Sequence, residues 1–130
     1  MNNLIFSYVG RINRAKFWLG GVILVILDGI MFSIVGSYAT IDQDHESTVF
    51  LVLVVISVVV LIATAYASIC LGIKRYHDRG KSGVWVLIQL IPAIGSVWYF
   101  IEAGCLRGQP GPNLYGPDPL HPSNRLAAAY

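Results

Sequence analysis

From Thr48 to Ile73 the chain carries no charged residue, and from Val49 to Ile62 it is almost unbroken valine, leucine and isoleucine. In a soluble protein such a run suggests buried strands, but no turn residue divides it into strand-sized pieces. A helix needs about 20 residues to cross the hydrocarbon core, and a spanning backbone must satisfy its own hydrogen bonds, so the segment reads as a transmembrane helix. Two further apolar stretches of similar length run from about Phe17 to Tyr38 and from about Val84 to Leu106. Composition agrees, with 55% hydrophobic and only 12% charged residues, against about 25% charged in ordinary soluble domains. The expected fold class is all-α. It is a single integral membrane domain over residues 1–130, with three transmembrane helices (about 17–38, 48–73 and 84–106) and a short Pro/Gly-rich C-terminal tail, 107–130.

A cleaved signal peptide is the competing reading of the first stretch, because Arg11, Arg14 and Lys16 precede it. The apolar run is longer than the roughly 7–15 residues of a signal core, and Asp28 interrupts it, so it is expected to be retained. Cys70 and Cys105 lie in or beside apolar stretches and read as small packing residues. Two isolated cysteines make neither a disulfide framework nor a zinc motif, and no metal or cofactor is expected.

Basic residues in short loops set orientation. Arg11, Arg14 and Lys16 flank the first span, and Lys74, Arg75, Arg79 and Lys81 fill the second connection. The first connection instead carries Asp42, Asp44, His45 and Glu46. This pattern places the N-terminus and the second connection in the cytoplasm. Trp18, Tyr76 and Trp85 then mark the inner boundary, and Tyr38, Trp98 and Tyr99 the outer one. Three crossings leave the tail outside, although Pro92 and Gly95 permit a re-entrant hairpin that would return it to the cytoplasm.

Asp28 lies about 16 Å along the first span at 1.5 Å per residue, near the midplane. A carboxylate there costs about 2.5–3.5 kcal/mol on insertion scales, so it is expected to face another helix or a wet cavity. Ser57, Thr64 and Ser68 share one face of the second span, a small-and-hydroxyl stripe suited to helix packing and able to meet Asp28. Gln89 reads as interhelical glue, and Glu102 is expected near the outer end of the third span.

The connection Lys74-Arg75-Tyr76-His77-Asp78-Arg79-Gly80-Lys81-Ser82-Gly83 is the densest polar stretch. Gly80-Lys81-Ser82 imitates the end of a Walker A motif, but Arg75 stands where its first glycine belongs and a helix precedes it. His77 and Asp78 are too few ligands to close a metal site, and no nucleophile accompanies them, so no catalytic residue is assigned. Arg11, Arg14, Arg75, Arg79 and Lys81 are candidates to contact anionic headgroups, while Gly80 and Ser82 suit a helix end and the next helix start. The tail from Arg107 to Pro119 is turn-rich and cannot hold a helix.

Gly10-Arg11, Arg14 and Phe17-Trp18 precede the first span, and Arg75 to Gly83 precedes the third. Pro110-Gly111-Pro112-Asn113 and Tyr115-Gly116-Pro117-Asp118-Pro119 follow it. In these ordered motifs the chain resembles the DUF805 family of small bacterial inner-membrane proteins of unknown function. The resemblance covers nearly the whole chain and implies a multi-pass protein of the bacterial plasma membrane. It supplies no activity and no catalytic residues.

The expected function is a non-enzymatic accessory or scaffold, working as a homo-oligomer or in a membrane-protein complex. Its partners would be the bilayer, anionic headgroups at the inner face and other helices, with no nucleic acid. The alternatives are a small transporter or channel subunit using Asp28, and an interfacial enzyme acting on lipid headgroups through Arg75, His77 and Asp78.

Overall fold

The computed structural model describes residues 6–41 and 47–121, so the acidic connection and the last residues of the tail lie outside the described residues. Helices α1 (Arg14–Ile41) and α2 (Thr48–Asp78) are both long and apolar enough to cross a bilayer. Their free N-terminal amides are capped by side chains. Asn13 Oδ1 accepts from Lys16 N at 2.9 Å, and Ser47 Oγ accepts from Phe50 N at 3.1 Å. The β-branched content of α2 disfavours helix in water, but lipid offers its backbone no other partner. The helices pack antiparallel, with Gly20 against Leu71, Asp28 facing Thr64 and Tyr38 stacked on Phe50.

The third apolar segment is not one helix. Gly83–Leu90 forms a 3-10 helix, the chain reverses, and a short α3 (Ile94–Tyr99) runs into a π-helical turn, Phe100–Cys105. Pro92 has no N–H with which to continue a helix. The reversal centres on Ala93, where φ of 61°, ψ of −65° and a 2.7 Å bond from Ile94 N to Pro92 O make a three-residue γ-turn. Both ends of the segment therefore lie at the same end of the α1–α2 pair. Gly83 packs on Ile73 and His77, and Arg14 Nη1 donates to the Cys105 carbonyl at 3.0 Å.

The continuous helix expected over 84–106 is thus replaced by a hairpin that enters and leaves at one end. Two placements change with it. The Tyr99 ring, expected at the far boundary, lies 5.9 Å from Phe17 and 6.1 Å from Tyr76. Glu102, also expected there, pairs with Lys81 and Arg79.

Burial is inverted relative to a soluble protein. Val25, Phe32 and Ile62 are exposed along the long helices, whereas Arg75, Asp78, Glu102 and Asp118 are buried. The largest fully buried side chains, Arg75 and Tyr76, lie with the polar node at the hairpin end, and the apolar flanks are turned outward. That distribution suits a hydrocarbon surround, where apolar surface carries no cost.

Candidate functional site

The last turn of α2 projects Lys74–Asp78 beyond its apolar run, and Gly80, at φ 72°, ends the helix in a left-handed turn. Ser82 Oγ accepts from Val84 N at 3.4 Å and starts the 3-10 helix. This short connection aims Arg75, Asp78 and Arg79 at the start of α1 and at the tail.

Asp78 is the hub. Its carboxylate accepts from Arg11 Nε at 3.1 Å and from Arg75 Nη1, and its carbonyl accepts from Gln109 N at 2.8 Å. Gly108 packs so closely on this carboxylate that a Cβ there would collide with it. Burial pushes the Asp78 carboxyl up, and the two guanidiniums oppose that shift by favouring the anion.

Arg11 uses its remaining donors on the tail, reaching Gln109 O at 2.6 Å, Gly111 O at 2.7 Å and Gly116 O at 3.3 Å. Arg75 Nε donates to Ala103 O at 2.6 Å and its Nη2 to Leu106 O. Arg79 joins Glu102 at 3.4 Å and donates to Arg107 O at 3.0 Å, while Lys81 pairs with Glu102 and sits 4.6 Å over the Trp85 ring. Three arginines from two motifs thus fasten the hairpin's return arm and the tail.

The tail is a built strap. Asp118 accepts from Gly111 N at 3.1 Å and Leu120 N at 2.9 Å, and these amides hold its carboxyl below the usual carboxylate range. Asn113 Nδ2 donates to His77 O at 2.9 Å. His77 and Tyr115 stack with centroids 3.9 Å apart and planes 3° from parallel. His77 Nδ1 lies 3.3 Å from Gly10 O, and burial drives the imidazole below its ordinary value.

The structure brings together Arg11, Arg75, His77, Asp78, Arg79 and Lys81 in this node. Arg14 stands at its edge. Asp28 is distant, accepting from Thr64 Oγ1 at 2.9 Å between the long helices. Ser57 and Ser68 donate to the carbonyls of Val54 and Ala65 in their own helix, and Gln89 donates weakly to Val86 O at 3.5 Å. Sequence reasoning did not assign Gln109, Asn113, Tyr115 and Asp118 to the node; the signals they gave were the stiff turn chemistry of the tail and, for the last three, membership of the motifs that carry the family resemblance. Tyr76 Oη and Glu102 Oε2 are buried without a hydrogen-bond partner among the described residues. No cluster of three metal-ligating side chains occurs among those residues.

A helical membrane protein with a polar clamp at one end is the class these features define. The chain belongs to the DUF805 family, described as a protein family of unknown function, whose model matches residues 5–117. It is 31% identical over 118 residues to inner membrane protein YhaI of Escherichia coli strain K12, covering 91% of this chain and 90% of that one. Inner membrane protein YhaH of the same strain is 29% identical over 87% of each chain. The uncharacterized protein YiiR of that strain is 24% identical over 88% of this chain and 86% of its own. No solved structure matches. The matched span includes all three motifs up to Pro117 and so most of the node, with Asp118 just beyond it.

Proposed function

We propose that this chain is a non-enzymatic scaffold of the bacterial inner membrane. In this reading α1 and α2 cross the bilayer, the hairpin re-enters it, and the node locks the assembly at the cytoplasmic face. The lipid-facing flanks of the long helices are then the surfaces offered to other membrane helices or to a second copy. One observation carries the reading: within the node Arg11, Arg75, His77, Asp78 and Glu102, the groups that could combine to perform chemistry, are engaged with each other and with backbone carbonyls. A general acid or a phosphate-binding arginine needs a free proton or free donors facing a substrate.

Charge supports the orientation. Arg11, Arg14, Lys16, Lys74, Arg75, Arg79, Lys81 and Arg107 gather at the node end, against Asp78, Glu102 and Asp118. That excess of basic residues marks a cytoplasmic face. Asp28 is held by Thr64 on a groove between the long helices, an arrangement suited to cohesion between helices.

A photo-crosslinking residue placed at Val55, which is exposed on α2, tests the reading in living cells. A scaffold gives an adduct of one defined mass from Val55 and not from Leu114 in the tail. A chain that is monomeric in the bilayer and turns over a phospholipid headgroup, with turnover abolished by His77→Ala, would replace the scaffold with an enzyme.

A further inference from the structure

We propose that the face between α1 and the hairpin holds one anionic phospholipid, its headgroup phosphate at Arg14 and an acyl chain in the groove beyond Trp18. This rests on the bilayer placement of α1 and α2 and not on the scaffold reading.

Two cavities meet at that indole. A groove of 570 Å³ runs between α1, α2 and the hairpin, from Phe17 and Trp18 at one end to Asp28 at the other, with Val22 and Val25 on its wall. Its length along α1 is roughly 16 Å at 1.5 Å per residue, and its volume is that of an ordinary small-molecule site. On the polar side of Trp18 lies a second cavity of 500 Å³, lined by Asn13, Arg14, Gly104 and Leu120. The indole between them is fixed. Its Nε1 donates to Gly104 O at 3.2 Å, its ring meets Phe100 edge-on at 5.6 Å, and the absent Cβ of Gly104 leaves it room. An aromatic ring at such a boundary marks the level where headgroup gives way to chain.

The chemistry changes across that ring. Arg11 and Arg75 are buried and committed to Asp78, but Arg14 is exposed, has no carboxylate partner among the described residues, and gives one N–H to Cys105 O. Its remaining donors suit a phosphate, which a guanidinium recognises in bidentate fashion. Arg107 lies on the same small inner cleft as Arg14, and with Arg75 these two outnumber the Asp78 and Asp118 carboxylates that also line it, leaving a positive excess. Basic pockets between membrane helices bind anionic headgroups on this principle. A neighbouring helix would fill the apolar groove and leave the Arg14 cavity empty, whereas a single amphiphile fills both.

Native mass spectrometry of the delipidated full chain tests the site with three probes: phosphatidylglycerol, phosphatidylcholine and glycerol 3-phosphate. Two variants accompany it. Arg14→Gln removes the headgroup contact. Gly21→Phe fills the groove, because a Cβ at Gly21 meets nothing within 4 Å, and it replaces a poor helix former. The wild type should retain one phosphatidylglycerol, roughly fivefold or more in preference to phosphatidylcholine. Arg14→Gln should lose that preference, Gly21→Phe should weaken both lipids, and glycerol 3-phosphate should not be retained.

Equal lipid retention by all three proteins would overturn the site and leave only a loose lipid annulus. Retention of glycerol 3-phosphate as strongly as the lipid would overturn the groove's part and point to a free phosphate ligand. A second protein copy in place of lipid, lost in Gly21→Phe, would overturn it in favour of a dimer groove. The Val55 adduct is read independently of lipid retention, and either can fail while the other stands, so the two readings fail separately.

Discussion

Replacing Asp78 by Asn keeps the side chain's size and removes the anion that Arg11 and Arg75 share. Those two side chains are 1% and 0% exposed, so the substitution leaves two guanidiniums buried beside a neutral amide. Removing one partner of a buried ion pair costs about 3–5 kcal/mol, much of it the uncompensated charge left behind. At 1.4 kcal/mol per decade, the balance between docked and released tail should shift by about a hundredfold to a few thousandfold. Hydrogen exchange in lipid nanodiscs reads this at one amide, with a second as reference. Gln109 N donates to the Asp78 carbonyl at 2.8 Å and is protected only while the strap is docked, whereas Gly111 N donates to Asp118 at 3.1 Å inside the strap and reports whether the strap itself stays folded. Arg79→Gln is the internal control. Arg79 is 21% exposed and sits 3.4 Å from Glu102, so its loss should cost about 1 kcal/mol or less. If Gln109 exchanges no faster in Asp78→Asn than in Arg79→Gln, the node does not hold the tail and the reasoning fails.

Three further outcomes follow from particular contacts. Ala93→Gly should raise the thermal stability of the detergent-solubilised protein by roughly 1 kcal/mol, because φ of 61° is strained for alanine; a fall in stability would contradict the γ-turn. Thr64→Val should destabilise by about 0.6–1.7 kcal/mol by removing the hydrogen bond to Asp28, measured by unfolding in mixed micelles. Asp28→Asn, which still offers Thr64 an acceptor, should cost less. Burial holds His77 below its usual value of 6.5, so the unfolded state binds that proton better than the folded one. Its contribution is complete above 6.5 and is lost as pH falls from there through the folded value. Tail protection, corrected for intrinsic exchange rates, should therefore weaken in the wild type as pH falls below 6.5. It should be flatter in His77→Phe, which can keep the stack on Tyr115.

The long helices were legible because a charge-free run such as Thr48–Ile73 has one solution in lipid. The ends of the chain's polar motifs were legible as motifs but not as partners. Asp78 looked unexplained in the sequence because its ligands come from Arg11, far upstream, and because its carbonyl is matched by an amide of the tail. Backbone carbonyls such as those of Ala103, Leu106 and Gln109 absorb most of the arginine donors, and no residue code announces a carbonyl. The third segment was misplaced for a geometric reason. Assigning depth at 1.5 Å per residue assumes a continuous helix, and that assumption carries Tyr99 and Glu102 to the far boundary. Pro92 gave notice of a break, but the direction of the chain after it is set by packing of Tyr99 on Phe17 and Tyr76 and by the pairing of Glu102 with Lys81. Those contacts are long-range and leave no local periodicity to read.

The central claim is that the hairpin returns the tail to the end of the helices where α1 begins. Single cysteines in a background of Cys70→Ala and Cys105→Ala, probed with a membrane-impermeant maleimide on spheroplasts, test it directly. Lys16→Cys marks the start of α1, Thr48→Cys the start of α2 at the opposite end, and Leu114→Cys the tail, where the native side chain is 98% exposed. The hairpin requires Leu114→Cys to behave as Lys16→Cys does, unreactive until the membrane is permeabilised, while Thr48→Cys reacts at once. Labelling of Leu114→Cys on intact spheroplasts together with Thr48→Cys, with Lys16→Cys protected, would mean a third crossing and would take the tail away from Arg11 and Asp78.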